Sequence, residues 1–362
     1  MKNSNMKKLG NSDRKSYKVI GITCGDLGGV GPELCLSLLE TIQKYPETYN
    51  CGKLKVVLFG SKQFMLNGPL KFDFERLNIK FLKKNGVQDF VSDTPLSLGN
   101  IGFVDCDSPQ PVSWTLNKES KENGIHSYSF FNKAIDWANN GLLNAIVTAP
   151  INKMSWNLAD VPFSGHTTML KEKTGVDFVS MGFYTERLKT VLATVHVPFK
   201  DVPDLLTYSC LKQALESCLE FMCKLGVKCP KIAVAGLNPH ASEDGLFGTE
   251  ENEILIPFVK RINSDSDEKG MFGEFELTGP YPADTLYHRA YMGDFDCVLS
   301  LYHDQGLIPV KLLSFHEAVN VTLGLPFIRT SPDHGTAYDI AYQGKASASS
   351  MEEAFKLAVR LC

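Results

Sequence analysis

Short apolar runs alternate with helix-length amphipathic segments along almost the whole chain, and few architectures accommodate that pattern. "KVIGITCGD" (Lys18 to Asp26) is an apolar strand running into a glycine-rich turn, and "GPELCLSLLETIQKY" opens a helix with Pro32 in its first turn. "KLKVVLFGS" and "IGFVD" repeat the strand signal, "SYSFFNKAIDWANNG" is an amphipathic helix stopped by Gly141, and "LNAIVTAPINK" is a buried strand emptying into a loop. The second half reads "TVLATVHVPF" as strand, "LLTYSCLKQALESCLEFMCKLG" as helix, "KIAVAGLNPHA" as strand and loop, "TEENEILIPFVKRINS" as helix and "CVLSLYHD" as strand. A final helix starts near Ser350, where Ser349 and Glu352 have capping-box spacing. Strands apolar on both faces need cover on both faces, so the fold class is α/β, a parallel or mixed sheet covered by helices.

The 362 residues exceed one comfortable core, which implies two domains or one large unit split by a cleft. A net charge of −4 and no basic stripe argue against nucleic acid as a partner. No apolar run reaches the roughly 20 residues of a membrane span, so no membrane partner is expected. The first 18 residues are basic and polar without an apolar stretch, which suggests a flexible tail on a cytoplasmic protein rather than a secretory signal. Ten scattered cysteines without C-x-x-C are expected as reduced, mostly buried thiols. The stretch between Lys62 and Gln110 is irregular and charge-rich.

Three apolar strands end in histidine-bearing segments: "LATVHVPF" with His196, "AGLNPHASEDG" with His240 and "SLYHDQG" with His303. Ligands collect beyond the carboxyl ends of strands in open α/β sheets, so three converging imidazoles could hold a first-row divalent ion; three unrelated loop histidines are the competing reading. "SGHTTML" puts His166 and Thr167 where a helix begins, as an anion site or a plain cap. Lys311, Asn320 and Arg329 are of the types that bind phosphate by point charge, amide donor and bidentate fork. The turn "CGDLGGVGPE" lacks G-x-G-x-x-G and a Walker lysine, and Glu33 in the first helical turn would repel a pyrophosphate.

Taken in order, "GDLGGVGPE", "VTAPINK", "SGHTTML", "LATVHVPF", "GLNPHASEDG", "LYHDQGLIPVK" and "VNVTLGLPFIRTSPDHGTAYDIA" resemble the 4-hydroxythreonine-4-phosphate dehydrogenase family of vitamin B6 biosynthesis, from about Val19 to the C-terminus. Leu27 stands where that family usually has proline, a change that should loosen the turn slightly. The resemblance implies an isocitrate/isopropylmalate dehydrogenase-like two-domain fold with the active site in the interdomain cleft. One domain would be 19–155 plus 310–362 and the other 156–309, after the tail 1–18. It also implies a homodimer with shared active sites.

His196, His240 and His303 would hold one divalent ion (zinc, magnesium, cobalt or manganese), at least one of them reaching across from the partner chain. His166, Thr167, Lys311, Asn320 and Arg329 would contact a small phosphorylated four-carbon substrate. NAD, or NADP, would bind in part through His334, Gly335, Ala337 and Asp339. Asp304 or Lys311 would take the C3 proton, with Asp304 and Gln305 as supports. The implied reaction converts 4-phosphooxy-L-threonine to 3-amino-2-oxopropyl phosphate by oxidation and loss of CO2. Sister dehydrogenases of phosphorylated threonate or erythronate are the near alternative; a metal-dependent phosphohydrolase or a phosphate-binding protein is the distant one.

Overall fold

The computed structural model describes residues 17–49, 54–70, 72–82, 90, 100–107, 113–264 and 273–362. The expected tail therefore falls almost wholly outside the described residues, as does much of the irregular stretch before Gln110. Twelve strands form one sheet: β1 (Lys18–Thr23), β2 (Leu54–Gly60), β3 (Ile79–Phe81), β4 (Ile101–Asp105), β5 (Ala145–Thr148), β6 (Ser180–Tyr184), β7 (Lys189–Leu192), β8 (Lys231–Ala235), β9 (Glu276–Tyr281), β10 (Cys297–Ser300), β11 (Val319–Leu323) and β12 (Ile328–Pro332). Their spatial order is β3-β4-β2-β1-β5-β12-β11-β6-β7-β10-β8-β9.

Two parallel wings make up this sheet. From β3 to β12 every pairing is parallel, as is every pairing from β7 to β9, and antiparallel pairings of β12 with β11, β11 with β6 and β6 with β7 join them. The chain leaves the first wing after β5, builds the second and returns through β11 and β12. Gly324, between those two strands, has φ +82°, and a Cβ there would lie 2.8 Å from the Phe178 carbonyl oxygen. The α/β class and the mixed sheet under helices are as the alternation implied. All seven residues of β2 are buried, which is why such strands read as continuous apolar runs rather than alternating ones. One core containing Ile20, Phe131 and Phe355 continues to Phe221 and Leu299 of the second wing, and a smaller one around Phe183 and Val298 fills that wing's other face.

Several expectations are corrected. Strand β7 stops at Leu192, so His196 lies beyond it; pairing ends where Thr194 bonds Leu301, the last residues before the neighbouring chain turns into a helix. Strand β10 likewise ends at Ser300, and a helix, His303–Ser314, takes over. Pro309 inside that helix hides its signal in the sequence. A further helix, Ala283–Met292, occupies a stretch in which the sequence pattern predicts no element. The capping box does not form, because Ser349 donates to the His316 carbonyl and Glu352 accepts from Thr41, tertiary partners that outcompete the local pair. Three of the nine described cysteines, Cys223, Cys229 and Cys362, are exposed, so burial of the thiols is less general than expected. No described helix is long and apolar enough to cross a membrane.

Candidate active site

A cleft of about 430 Å³ is lined by Thr148 at the end of β5, by Ala149 to Ile151 and Lys153 after it, by Ser164 to Thr168, by His196, Lys311 and Asn320, and by Arg329 and Ser331 to Gly335. Strand periodicity explains the last group. Arg329, Ser331 and Asp333 alternate onto the cleft face, while Thr330 between them bonds the Ala354 carbonyl on the other side.

Arg329 is 4% exposed. Its Nη1 donates to Thr322 Oγ1 at 3.0 Å and its Nη2 to Thr148 Oγ1 at 2.7 Å and His166 Nδ1 at 3.1 Å, all neutral acceptors. Burial pushes the guanidinium down to about 9, so it remains a cation at neutral pH. Among the described residues no carboxylate pairs with it, and its Nε has no protein partner. A buried charge in that condition is costly, and an anion entering the cleft relieves it.

His166 is tuned to the same task. Its ring packs edge-on against Phe131 and Trp156, and this enclosure first, then the Arg329 charge, holds its pKa well below the ordinary value. The ring is therefore neutral. Because Nδ1 accepts from Arg329, the proton sits on Nε2, a buried donor without a protein partner. Helix His166–Thr174 starts here from Gly165, which contributes no side-chain cap, so its first N–H groups, Thr167 included, face the cleft. With no side chain capping this helix start, those N–H groups are free to meet an anion. Asn320 adds an amide whose Oδ1 is buried and unpartnered.

Toward the other side, Lys311 Nζ lies 3.2 Å from Asp333 Oδ2. His196 and His303 are neighbours, ring centroids 5.4 Å apart. Partial burial, then the charges of Lys153 and His303, lower the His196 pKa, which favours the neutral, ligand-competent imidazole. His240 is not with them; its ring neighbours Phe247, and no trio of metal-ligating side chains occurs among the described residues. Of the three histidines expected to converge, the chain therefore brings together two, His196 and His303, and leaves His240 apart. His240 itself starts a run of five left-handed residues, His240 to Asp244, an arrangement that costs on the order of 1 kcal/mol per residue. Buried Glu251 braces the approach to it by accepting from the backbone of Leu237 and Asn238.

Asp304 is exposed and makes a 3.3 Å contact to His303 Nδ1. Gln305 bonds backbone instead, accepting from Leu301 N and donating to the Gly236 carbonyl, so it ties the end of β10 to that of β8. Of the nucleotide candidates, His334 and Gly335 line the cleft, whereas Ala337, with φ +44°, and Asp339 lie in the turn that follows. That turn is anchored by Glu33, whose two carboxylate oxygens accept from Tyr342 N and Gly344 N. The glycine-rich turn is packed rather than open: a Cβ on Gly25 would meet the Pro150 carbonyl at 2.3 Å, and one on Gly29 the Thr336 carbonyl at 2.6 Å.

Residues 53–358 match the family described as pyridoxal phosphate biosynthetic protein PdxA. The chain belongs to this family. Among PdxA relatives, a 4-hydroxythreonine-4-phosphate dehydrogenase from Desulfosudis oleivorans is 37% identical over 346 residues, 94% of this chain and 95% of its own. A D-threonate 4-phosphate dehydrogenase from Salmonella typhimurium is also 37% identical, over 347 residues, 95% of this chain and 99% of its own. The crystal structure of 4-hydroxythreonine-4-phosphate dehydrogenase from Klebsiella pneumoniae superposes with a TM-score of 0.77 at 34% identity, covering 95% of this chain and 99% of that one. The chain is accordingly an oxidoreductase of the PdxA family. Within this PdxA cleft, sequence reading missed Lys153, Thr148 and Asp333. All three lie inside quoted motifs, Thr148 and Lys153 in "TAPINK" and Asp333 in "SPDHG", but a single Thr, Lys or Asp carries no signal until burial and partners are known.

Proposed function

We propose that this chain oxidises 4-phosphooxy-L-threonine at C3 with NAD and releases CO2, yielding 3-amino-2-oxopropyl phosphate. The observation that carries this reading is the buried Arg329, charged and without a carboxylate, set beside the His166 donor and a helix N-terminus. Together with Thr167 and Asn320 these groups bind the phosphate. Lys311 and Asp304 remain the candidates for the C3 proton. A divalent ion held by His196 and His303, with His240 of a second copy as third ligand, would supply Lewis acidity toward the C3 oxygen. NAD, held near His334, Gly335, Ala337 and Asp339, would accept the hydride. The two wings are taken as the two domains, 19–155 plus 310–362 and 156–309.

Equal identity to relatives of two names supports a second reading, in which the substrate is a phosphorylated threonate. A panel of both substrates, with NADH absorbance as the readout, separates them. NADH formation that requires the phosphorylated, aminated substrate is the expected result; phosphate release without NADH would overturn both readings in favour of a phosphohydrolase.

A further inference from the structure

The cleft face of β12 carries a gradient of charge. Arg329 lies at one end, Ser331 in the middle and Asp333 just beyond the strand, with the Cα atoms of the first and last about 13 Å apart at ordinary strand rise. The anion cradle at Arg329 draws on Thr148, Thr322 and His166, and Lys311 takes no part in its hydrogen bonds. Lys311 instead reaches Asp333 from helix His303–Ser314, with Nζ 3.2 Å from the carboxylate and 3.4 Å from the carbonyl oxygen of the same residue.

The carboxylate approaches as an ion pair, its Oδ2 outside hydrogen-bond geometry, while the carbonyl oxygen accepts the hydrogen bond; together they restrain an ammonium that four rotatable bonds would otherwise let wander. The carboxylate is the more enclosed partner, its side chain 15% exposed against 38% for the lysine, so it forms the fixed side of the pair. Asp333 is also close enough to His303 and His334 to feel their charge, which places the pair toward the histidine side of the cleft.

We infer that Asp333 is a positioning residue, which holds the Lys311 ammonium at the end of the cleft remote from Arg329, where it hydrogen-bonds oxygens at the reacting carbons rather than the phosphate. What Lys311 does there rests on the phosphorylated-substrate reading; the pinning of Lys311 does not.

Two measurements on the full-length protein test it. In 15N-lysine spectra one ammonium signal, identified by its loss in Lys311→Arg, is expected to be protected from exchange in the wild type and broadened in Asp333→Asn. In steady-state kinetics Asp333→Asn is expected to lower kcat by roughly 10- to 100-fold, the usual effect of a small misplacement, with KM for the phosphorylated substrate nearly unchanged. Asp333→Glu should restore part of the loss, and serves alone if the Asn variant fails to fold. In a Lys311→Met background, Asp333→Asn should add almost nothing, because the residue acts only through the lysine. An equal penalty in that background, a rise in KM without loss of kcat, or an unprotected Lys311 signal in the wild type would each overturn the inference. A wild-type enzyme that forms no NADH would refute the proposed function, and the spectra would still decide whether Lys311 is pinned.

Discussion

At the Arg329 end of the cleft the groups come from one chain and the guanidinium is buried, whereas at the histidine end the rings stand more open and only two of the three expected histidines meet. Arg329 is buried and surrounded by neutral acceptors, while His196 is exposed and His303 only partly covered. The first end commits itself to a ligand class through electrostatics alone, since an unpaired buried cation favours an anion whatever else binds. At the second, the third expected ligand, His240, lies apart from the other two, and in the proposed function a second copy supplies it. Exposed apolar side chains surround that end, with Ile308 and Leu312 on the helix that His303 begins, Phe315 just after it, and Phe199 against Tyr302. Side chains of this kind are what the proposed second copy of the chain would cover.

If the two ends work independently, damage to one should spare the other. His303→Ala is expected to cause the largest effect, a fall in turnover of roughly three orders of magnitude, beyond the 10- to 100-fold typical of groups that only support a metal ligand. Calorimetric affinity for the phosphorylated substrate should change only a few-fold. A collapse of both would mean that the ends are one site.

Arg329→Met is expected to do the reverse. Affinity for the phosphorylated substrate should drop on the order of 100-fold, the loss of a charge-assisted phosphate contact worth about 3 kcal/mol. Stability should stay within about 1 kcal/mol of wild type or rise, because an uncompensated buried charge has been replaced by an apolar chain. Substantial destabilisation in urea titrations would show that the guanidinium is part of the core rather than a strained binding group.

The incomplete end can be sharpened by mixing inactive variants. Co-refolded His240→Ala and His303→Ala chains are expected to recover roughly a quarter of wild-type activity. If those ligands come from different chains, random pairing makes half the dimers mixed, and one of their two sites is intact. His196→Ala mixed with His303→Ala should stay silent, since those two rings meet within one chain. Recovery in neither mixture, with subunit exchange confirmed by mass spectrometry, would refute the shared site.

The fold class could be read in the sequence because burial on both faces leaves unmistakable apolar runs, as in β2. Residue types alone leave His166 and Thr167 open between an anion site and a plain cap, and it is the resemblance that groups them with Asn320 and Arg329, which line the same cleft. Elements decided by distant partners were not legible. The helix after β10 carries a proline, and Ser349 and Glu352 gave up their local pairing for His316 and Thr41. Nothing about Glu33 in the sequence hints that it clamps the turn at Tyr342 and Gly344, 309 and 311 residues away.

The smallest expected effect tests whether the enclosed end really excludes protons. His166 is disfavoured as a cation by its packing against Phe131 and Trp156 and then by Arg329, so its folded pKa lies below the roughly 6.5 of an unfolded histidine. Above that pH the ring is neutral in both states and its contribution to stability is complete. As pH falls below 6.5 the unfolded chain takes up a proton that the folded one refuses, so stability declines with pH until the folded pKa is reached. His126 and His196 are lowered as well, and Asp26, Asp107 and Asp333 are raised and pull the other way at lower pH, but these contributions cancel between wild type and a single variant. His166→Asn keeps an acceptor for Arg329 and cannot be protonated. Between pH 6.5 and 5.5 its urea-derived stability should therefore fall by about 1 kcal/mol less than that of the wild type. Parallel curves would mean that His166 protonates as freely in the fold as in the unfolded chain, and the contrast between a closed anion end and an open histidine end would lose its electrostatic basis.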